Sequence, residues 1–295
     1  MKQAALNLNL QLKKTRKQVF LEQMEQLVSW TNLISLIAPY YPEGNSARPP
    51  FPLMTMLRTH FMQQWLTLSD PAMEESFFDT PVYRDFAQFE EFARLPDEST
   101  IPQFRHRLEE HKLADQILIT VNDLLTAKGL LPKADTASDA TLIAAPTSTK
   151  NKDRTRDPEM CSSKKGNQWY LCRKAYIGAD AESGLVHTVR GTSGHVNDIA
   201  EGNTLLRGEE TVAFGEAGYQ GIERRAGVTP DVIWHVAMRP GKRKALDKDN
   251  QADATIVKAE KLKASVLAKL EPPFWVIKRQ FGFVKVRGKL MAAQR

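Results

Sequence analysis

With 295 residues, 33.3 kDa and 42% hydrophobic content, the chain can bury one large core or two modest ones, as a globular protein does. Its net charge of +6 is unevenly placed: residues 239–295 carry 15 Lys/Arg against 5 Asp/Glu, +10 in all, which leaves −4 for the rest. Such a basic end points to a polyanion, foremost nucleic acid, with a solvated Lys-rich face as the alternative.

Cys161 and Cys172, with ten residues between them, have no second cysteine pair, and the histidines neighbouring them lack zinc-finger spacing. A metal knot or disulfide framework is therefore not expected, and the chain reads as reduced and cytosolic. No apolar run approaches the roughly 18 residues of a membrane span. The start, MKQAALNLNLQLKK, is too broken for a signal peptide.

In chain order, helical signals come first. Leu53, Met54, Leu57, Phe61, Met62, Trp65 and Leu66 recur at helical steps, and Asp70-Pro71 supplies an N-cap and a first-turn proline for the next helix. Thr100-Ile-Pro-Gln103 fits a capping box, and Phe104, Leu108, Leu113, Ile117, Val121 and Leu124 continue one apolar face before Gly129. Arg105, His106 and Arg107 fall on the first turns of that helix. The pattern suits a helix-turn-helix module that lays a helix on DNA, and equally a structural bundle.

Near residue 130 the pattern changes. Asp139 opens DATLIAAP, a β-prone run ended by Pro146, and a basic loop follows. Lys150, Lys152, Arg154, Arg156, Lys164 and Lys165 are placed in a loop beside this strand, either as phosphate contacts or as a solvated segment. WYLCRKAYIGADAESGLVHTV reads as two strands joined by a turn at residues 180–184, where Asp180 bonds its own backbone. A helix capped by Asp198, a strand TVAFG, a strand at VIWHVAM and a helix from Ala252 to Leu270 complete the order. In FGEAGYQG, Glu216 is either a surface acid at a strand end or a metal ligand; the stretch alone leaves both readings open.

Several blocks together carry a resemblance: DATLIAAPTSTKNKDRTRDPEM, KKGNQWY, KAYIGADAESGLVH, FGEAGYQG, RPGKR and VIKRQFGFVKVR, preceded by RPPFPLMTMLRTHFMQQWLTLSDPAMEESFFDT and LPDESTIPQFRHRLEEH. In order, and from about residue 15 to about residue 290, the chain is similar to the bacterial insertion-sequence DDE transposases. The resemblance implies a helical N-terminal DNA-binding domain over residues 1–130 and an α/β, ribonuclease-H-like mixed sheet flanked by helices over 131–295, shortened at its C-terminus. It implies cleavage of a phosphodiester by water and joining of the freed 3′-hydroxyl to target DNA, with Mg²⁺ or Mn²⁺ as cofactor. Asp139, Glu216 and Glu271 take the positions of the metal-binding acids, and Lys278, followed by Arg279, lies where the family keeps a cation near the DNA backbone. The implied partners are double-stranded DNA, at terminal inverted repeats and target, and further copies of the chain. No membrane partner is implied, and the implied location is the bacterial cytoplasm, at the nucleoid when DNA is bound.

The sequence departs from the family pattern at named positions. Glu216 stands where the family has aspartate, Leu267 and Trp275 where it has arginine, Pro272 and Tyr176 where it has histidine, and His195 and Asn197 are exchanged. Pro272 is expected to bias Glu271 away from helical geometry. A decayed copy that only binds DNA, or inhibits an intact relative, is the competing expectation; a stand-alone nuclease accounts less well for the N-terminal blocks.

Overall fold

The computed structural model describes residues 14–44, 49–90, 92–131, 135–145, 160–165, 167–225, 231–247, 249–280 and 282–284. The chain divides into two compact units, residues 1–117 and 118–295.

The first unit is helical. It holds α1 (Arg16–Leu27), α2 (Trp30–Ile37), α3 (Leu53–Leu66), α4 (Asp70–Asp79), α5 (Pro81–Ala87), α6 (Thr100–Glu110) and the start of α7 (Leu113–Ala127). Leu33, Ile37, Leu57, Met62 and Phe77 are essentially fully buried in its core. A charge is buried there too. Arg58, 3% exposed, holds Glu25 through two bonds of 2.6 and 2.7 Å, donates to the Phe86 carbonyl and lies over the Trp30 ring. That pairing offsets the desolvation of the guanidinium.

Two helix starts differ from expectation. Ser69, not Asp70, caps α4 by accepting from Ala72 N–H, and Asp70 instead accepts from Gln63 and Arg105. At α6 the capping acceptor is Asp97, whose carboxylate takes the N–H and hydroxyl of both Ser99 and Thr100. The apolar face expected on one helix is carried by two. Lys112 adopts φ +52°, a left-handed conformation that ends α6 and restarts the chain as α7.

The second unit is a six-stranded mixed sheet. After β1 (Asp135–Ala144) come β2 (Cys161–Lys165), β3 (Gln168–Asp180) and β4 (Val186–Ser193); then α8 (Asp198–Glu201), β5 (Val212–Gly215), β6 (Ile233–Val236), α9 (Pro240–Lys244), α10 (Gln251–Leu267) and α11 (Glu271–Trp275). β1 is central: antiparallel to β3 on one side and parallel to β5 on the other, with β6 parallel beyond β5. β4 and β2 both pair antiparallel with β3, β4 along residues 173–179 and β2 along 168–172. An antiparallel meander extended by two parallel strands and flanked by helices is the ribonuclease-H-like arrangement.

The β3–β4 hairpin turns as expected, with Asp180 accepting from the Glu182 and Ser183 N–H groups. Asp139 does not open its strand; β1 begins four residues earlier, at Asp135. Lys164 and Lys165 are not in a loop but on β2, opposite Trp169 and Gln168.

Candidate active site

The register of β1 and β5 organises the acids. Thr136 pairs with Ala213 and Ser138 with Gly215, so the next residue along each strand is Asp139 on one and Glu216 on the other. β5 stops at Gly215, but Glu216, at φ −66° and ψ 171°, continues extended for one residue before the 3₁₀ turn Ala217–Tyr219. Side chains two apart on a strand share a face. Asp139 therefore lies on the face of Ala137, and Glu216 on that of Phe214, and these two apolar residues belong to one cluster with Val266, Leu267 and Leu270.

That cluster brings in the third acid. Leu270 is fully buried against the sheet, and Glu271 follows it directly at the first position of α11. Contrary to expectation, Pro272 leaves Glu271 helical, at φ −64° and ψ −44°. The helix is instead restarted here. A 3₁₀ turn over Ala268–Leu270 hands over to α11, with Pro272 in its first turn, where a proline's missing N–H leaves no helical bond unmade.

Glu216 and Glu271 are exposed and Asp139 is half-buried, its carboxylate accepting from Ala140 N–H at 2.6 Å. Their carboxylate oxygens are hard donors of the kind Mg²⁺ and Mn²⁺ take. Yet among the described residues no group of three or more His, Cys, Asp or Glu side chains is placed to hold an ion. Asp139 and Glu216 follow paired residues of neighbouring strands and Glu271 follows a residue of the same apolar cluster, but the three form no closed ligand set among the described residues.

On the opposite face lies a polar cluster that the sequence reading did not find. Tyr176 is fully buried and its hydroxyl donates at 3.2 Å to the Asp198 carboxylate and the Val196 carbonyl, while Lys174 pairs with Asp198 at 2.8 Å. Asp198 is therefore not the cap of α8. Asn197 is, accepting from Ile199 N–H. Tyr219 packs beside this group, its ring stacked on Trp234 and its backbone N–H on the Glu216 carbonyl. Burial first, then the charges of Asp139 and Asp198, drive its phenol pKa well above the usual value.

The candidate cations have different fates. Lys278 and Arg279 follow α11 in a π-helical turn over Val276–Gln280, and Lys278 lines a cleft with Leu142, Ala144, Tyr170, Cys172 and Val284. Arg105 is held by Asp70 through two bonds of 3.1 Å. Lys150, Lys152, Arg154 and Arg156 lie outside the described residues. A basic group not singled out from sequence, Arg239 with Lys242, Arg243 and Lys244 on α9, is fully on the surface.

Residues 132–290 match the family described as Transposase DDE domain, more than half of the chain. The chain belongs to the DDE transposases. Residues 9–107, nearly the whole helical unit, match a second family, described as Transposase domain (DUF772). No solved structure matches the chain. Membership assigns DDE transposase character to the sheet unit and DNA as the substrate class, and DDE transposases generally use divalent metal ions. Among the described residues no helix is long and apolar enough to cross a membrane.

Proposed function

We propose that the chain is built to cut DNA at the ends of an insertion sequence and to join the freed ends to target DNA, with Asp139, Glu216 and Glu271 as its acids. The observation that carries this reading is the parallel register, which runs to Ser138 opposite Gly215, so that Asp139 in β1 and Glu216 just past the end of β5 come next on adjoining strands. Mg²⁺ or Mn²⁺, held by these carboxylates, would supply charge neutralisation at the attacking and leaving oxygens. The protein's own part would be placement: β1 and β5 carry two of the carboxylates on neighbouring strands, and the buried Leu270 anchors the helix start that carries the third. Lys278 and Arg279 would meet DNA phosphates beside that face, and the helical unit would hold the terminal repeats. Pairing of copies on DNA belongs to the same proposal.

A second reading, a copy whose catalysis has decayed while DNA binding persists, is favoured by the lack of a closed three-acid set among the described residues. The longer Glu216 side chain displaces its carboxylate by about one bond length, and an error of about 1 Å in a preorganised site costs on the order of 10²-fold in rate. Leu267, where the family has arginine, is packed into the apolar cluster under the site and offers no cation.

Strand cleavage of terminal-repeat DNA with Mg²⁺ or Mn²⁺ separates the two readings. The proteins are the chain itself, Glu216→Asp, and Glu216→Asp with Leu267→Arg and Pro272→His. We expect poor cleavage by the first, partial gain in the second and the largest gain in the third. If the unaltered chain cleaves and joins as well as the others, Glu216 is a competent ligand and the decayed reading fails. Cleavage that persists after Asp139→Ala in the most active protein would remove these acids from the mechanism.

A further inference from the structure

The two cysteines of the sequence stand directly opposite each other on antiparallel strands, Cys161 on β2 and Cys172 on β3. Both are free thiols. Directly opposed residues of an antiparallel pair put their side chains on the same face, with Cα atoms about 4.5–5.5 Å apart. That separation lies inside the range of about 4.4–6.8 Å that a disulfide spans. Only ten residues lie between the pair in sequence, and the register holds them together whenever the sheet is formed.

The surroundings fit the same use. Cys161 is half-buried and open to small reagents, whereas Cys172 is fully buried. Gly194 closes over the pair: a side chain there would begin 2.9 Å from the Cys172 sulfur and 2.7 Å from the Cys161 carbonyl oxygen. The missing side chain leaves the sulfurs their space. Burial pushes the Cys172 thiol pKa up, Lys174 opposes that, and Cys161 is among the groups that raise it, as close neighbours do. Among the described residues no group of three or more His, Cys, Asp or Glu is placed to hold a metal.

We propose that Cys161 and Cys172 form a reversible disulfide site, closed by a hydroperoxide and opened by a dithiol. The chemistry balances in two steps. The Cys161 sulfur attacks the terminal peroxide oxygen, the O–O bond breaks, and Cys161 becomes a sulfenic acid while an alcohol or water leaves. The Cys172 thiol gives up its proton, the thiolate attacks the Cys161 sulfur, the S–S bond forms, the S–O bond breaks, and the departing hydroxide takes up the released proton as water. Two thiols have lost two electrons and the peroxide has gained them. Because Cys172 must act as thiolate, the second step runs faster as pH rises. The bond would tether the edge strand β2 to β3 and fix the wall of the cleft that Cys172 shares with Lys278.

The test treats the folded full-length chain with hydrogen peroxide, then blocks remaining thiols and measures intact mass and linked peptides. The expected product is a monomer lighter by two hydrogens, with 161 and 172 in one linked peptide pair that dithiothreitol separates. Cys172→Ser should stop at a sulfenic acid on Cys161 that dimedone traps, and Cys161→Ser, at the half-buried position, should give no link. A stable dimedone adduct or higher oxidation of Cys161 without linkage in the unaltered chain would overturn the proposal. So would dimers joined between chains, or a link that forms only after unfolding in denaturant.

Discussion

His187 is buried beneath the sheet with both ring nitrogens engaged, Nε2 near the Thr136 hydroxyl and Nδ1 near that of Thr188. Burial, then Arg207, holds its pKa down to about 4, against the opposing pull of Glu210 and Asp180. The unfolded chain therefore binds a proton at this residue between about pH 6.5 and 4 where the folded chain does not, and stability falls as pH falls through that window. A single group of this kind contributes a slope of up to about 1.4 kcal/mol per pH unit. Denaturant unfolding of the chain and of His187→Gln at pH 7 and pH 5 should show the variant less sensitive to acid; equal slopes would refute the assignment. Residue identities carried part of the site. Asp139 and Glu216 stand out in the sequence only through the family resemblance, since a strand-end acid alone leaves its role open, and the partners of Asp198 and Arg105 have no local signal because Tyr176 and Asp70 lie 22 and 35 residues away in sequence.

At the scale of elements, the start of α6 rests on Asp97. Its carboxylate accepts from two backbone N–H groups and two hydroxyls, and the Ser99 hydroxyl bond, followed by those from Thr100, lowers its pKa to about 2. Asp97→Ala should destabilise the helical unit by about 1 kcal/mol, the usual cost of losing such a cap. A thermal midpoint unchanged from that of the parent would show that the cap is dispensable. The capping-box spacing points forward from Thr100 to Gln103, whereas the acceptor, Asp97, stands three residues before Thr100. The hairpin of β3 and β4 was legible because its turn chemistry is local. By contrast, β2 was missed: CSSKK has no alternating apolar pattern, and its strand form comes from pairing with β3 on one side. Nothing in the sequence signals the break at Lys112, since neither Gly nor Pro marks it.

For the molecule as a whole, the +10 of residues 239–295 predicts salt-sensitive DNA binding that survives loss of catalysis. If about four of these cations meet phosphates, affinity should fall on the order of 10²-fold between 50 and 200 mM salt. Replacing Lys242, Arg243 and Lys244 with alanine should weaken binding and flatten that dependence. Affinity that does not change with salt would exclude the role. Large-scale organisation was legible where composition changes, near residue 130, but the division into compact units falls at 117/118, inside α7. Leu113 and Ile117 pack with the helical core, while Asn122 bonds the His187 carbonyl, and nothing in the apolar spacing of the helix signals that change of partner. The central place of β1 also bears on how the chain is made. A ribosome delivers β1 and its antiparallel neighbours first, but β5 begins at Val212, 68 residues after Ala144. At about 5–20 residues per second, the growing chain holds a half-built sheet with its middle strand uncovered on one edge for roughly 3–14 seconds. During synthesis that open edge presents unpaired N–H and C=O groups on which another chain can pair.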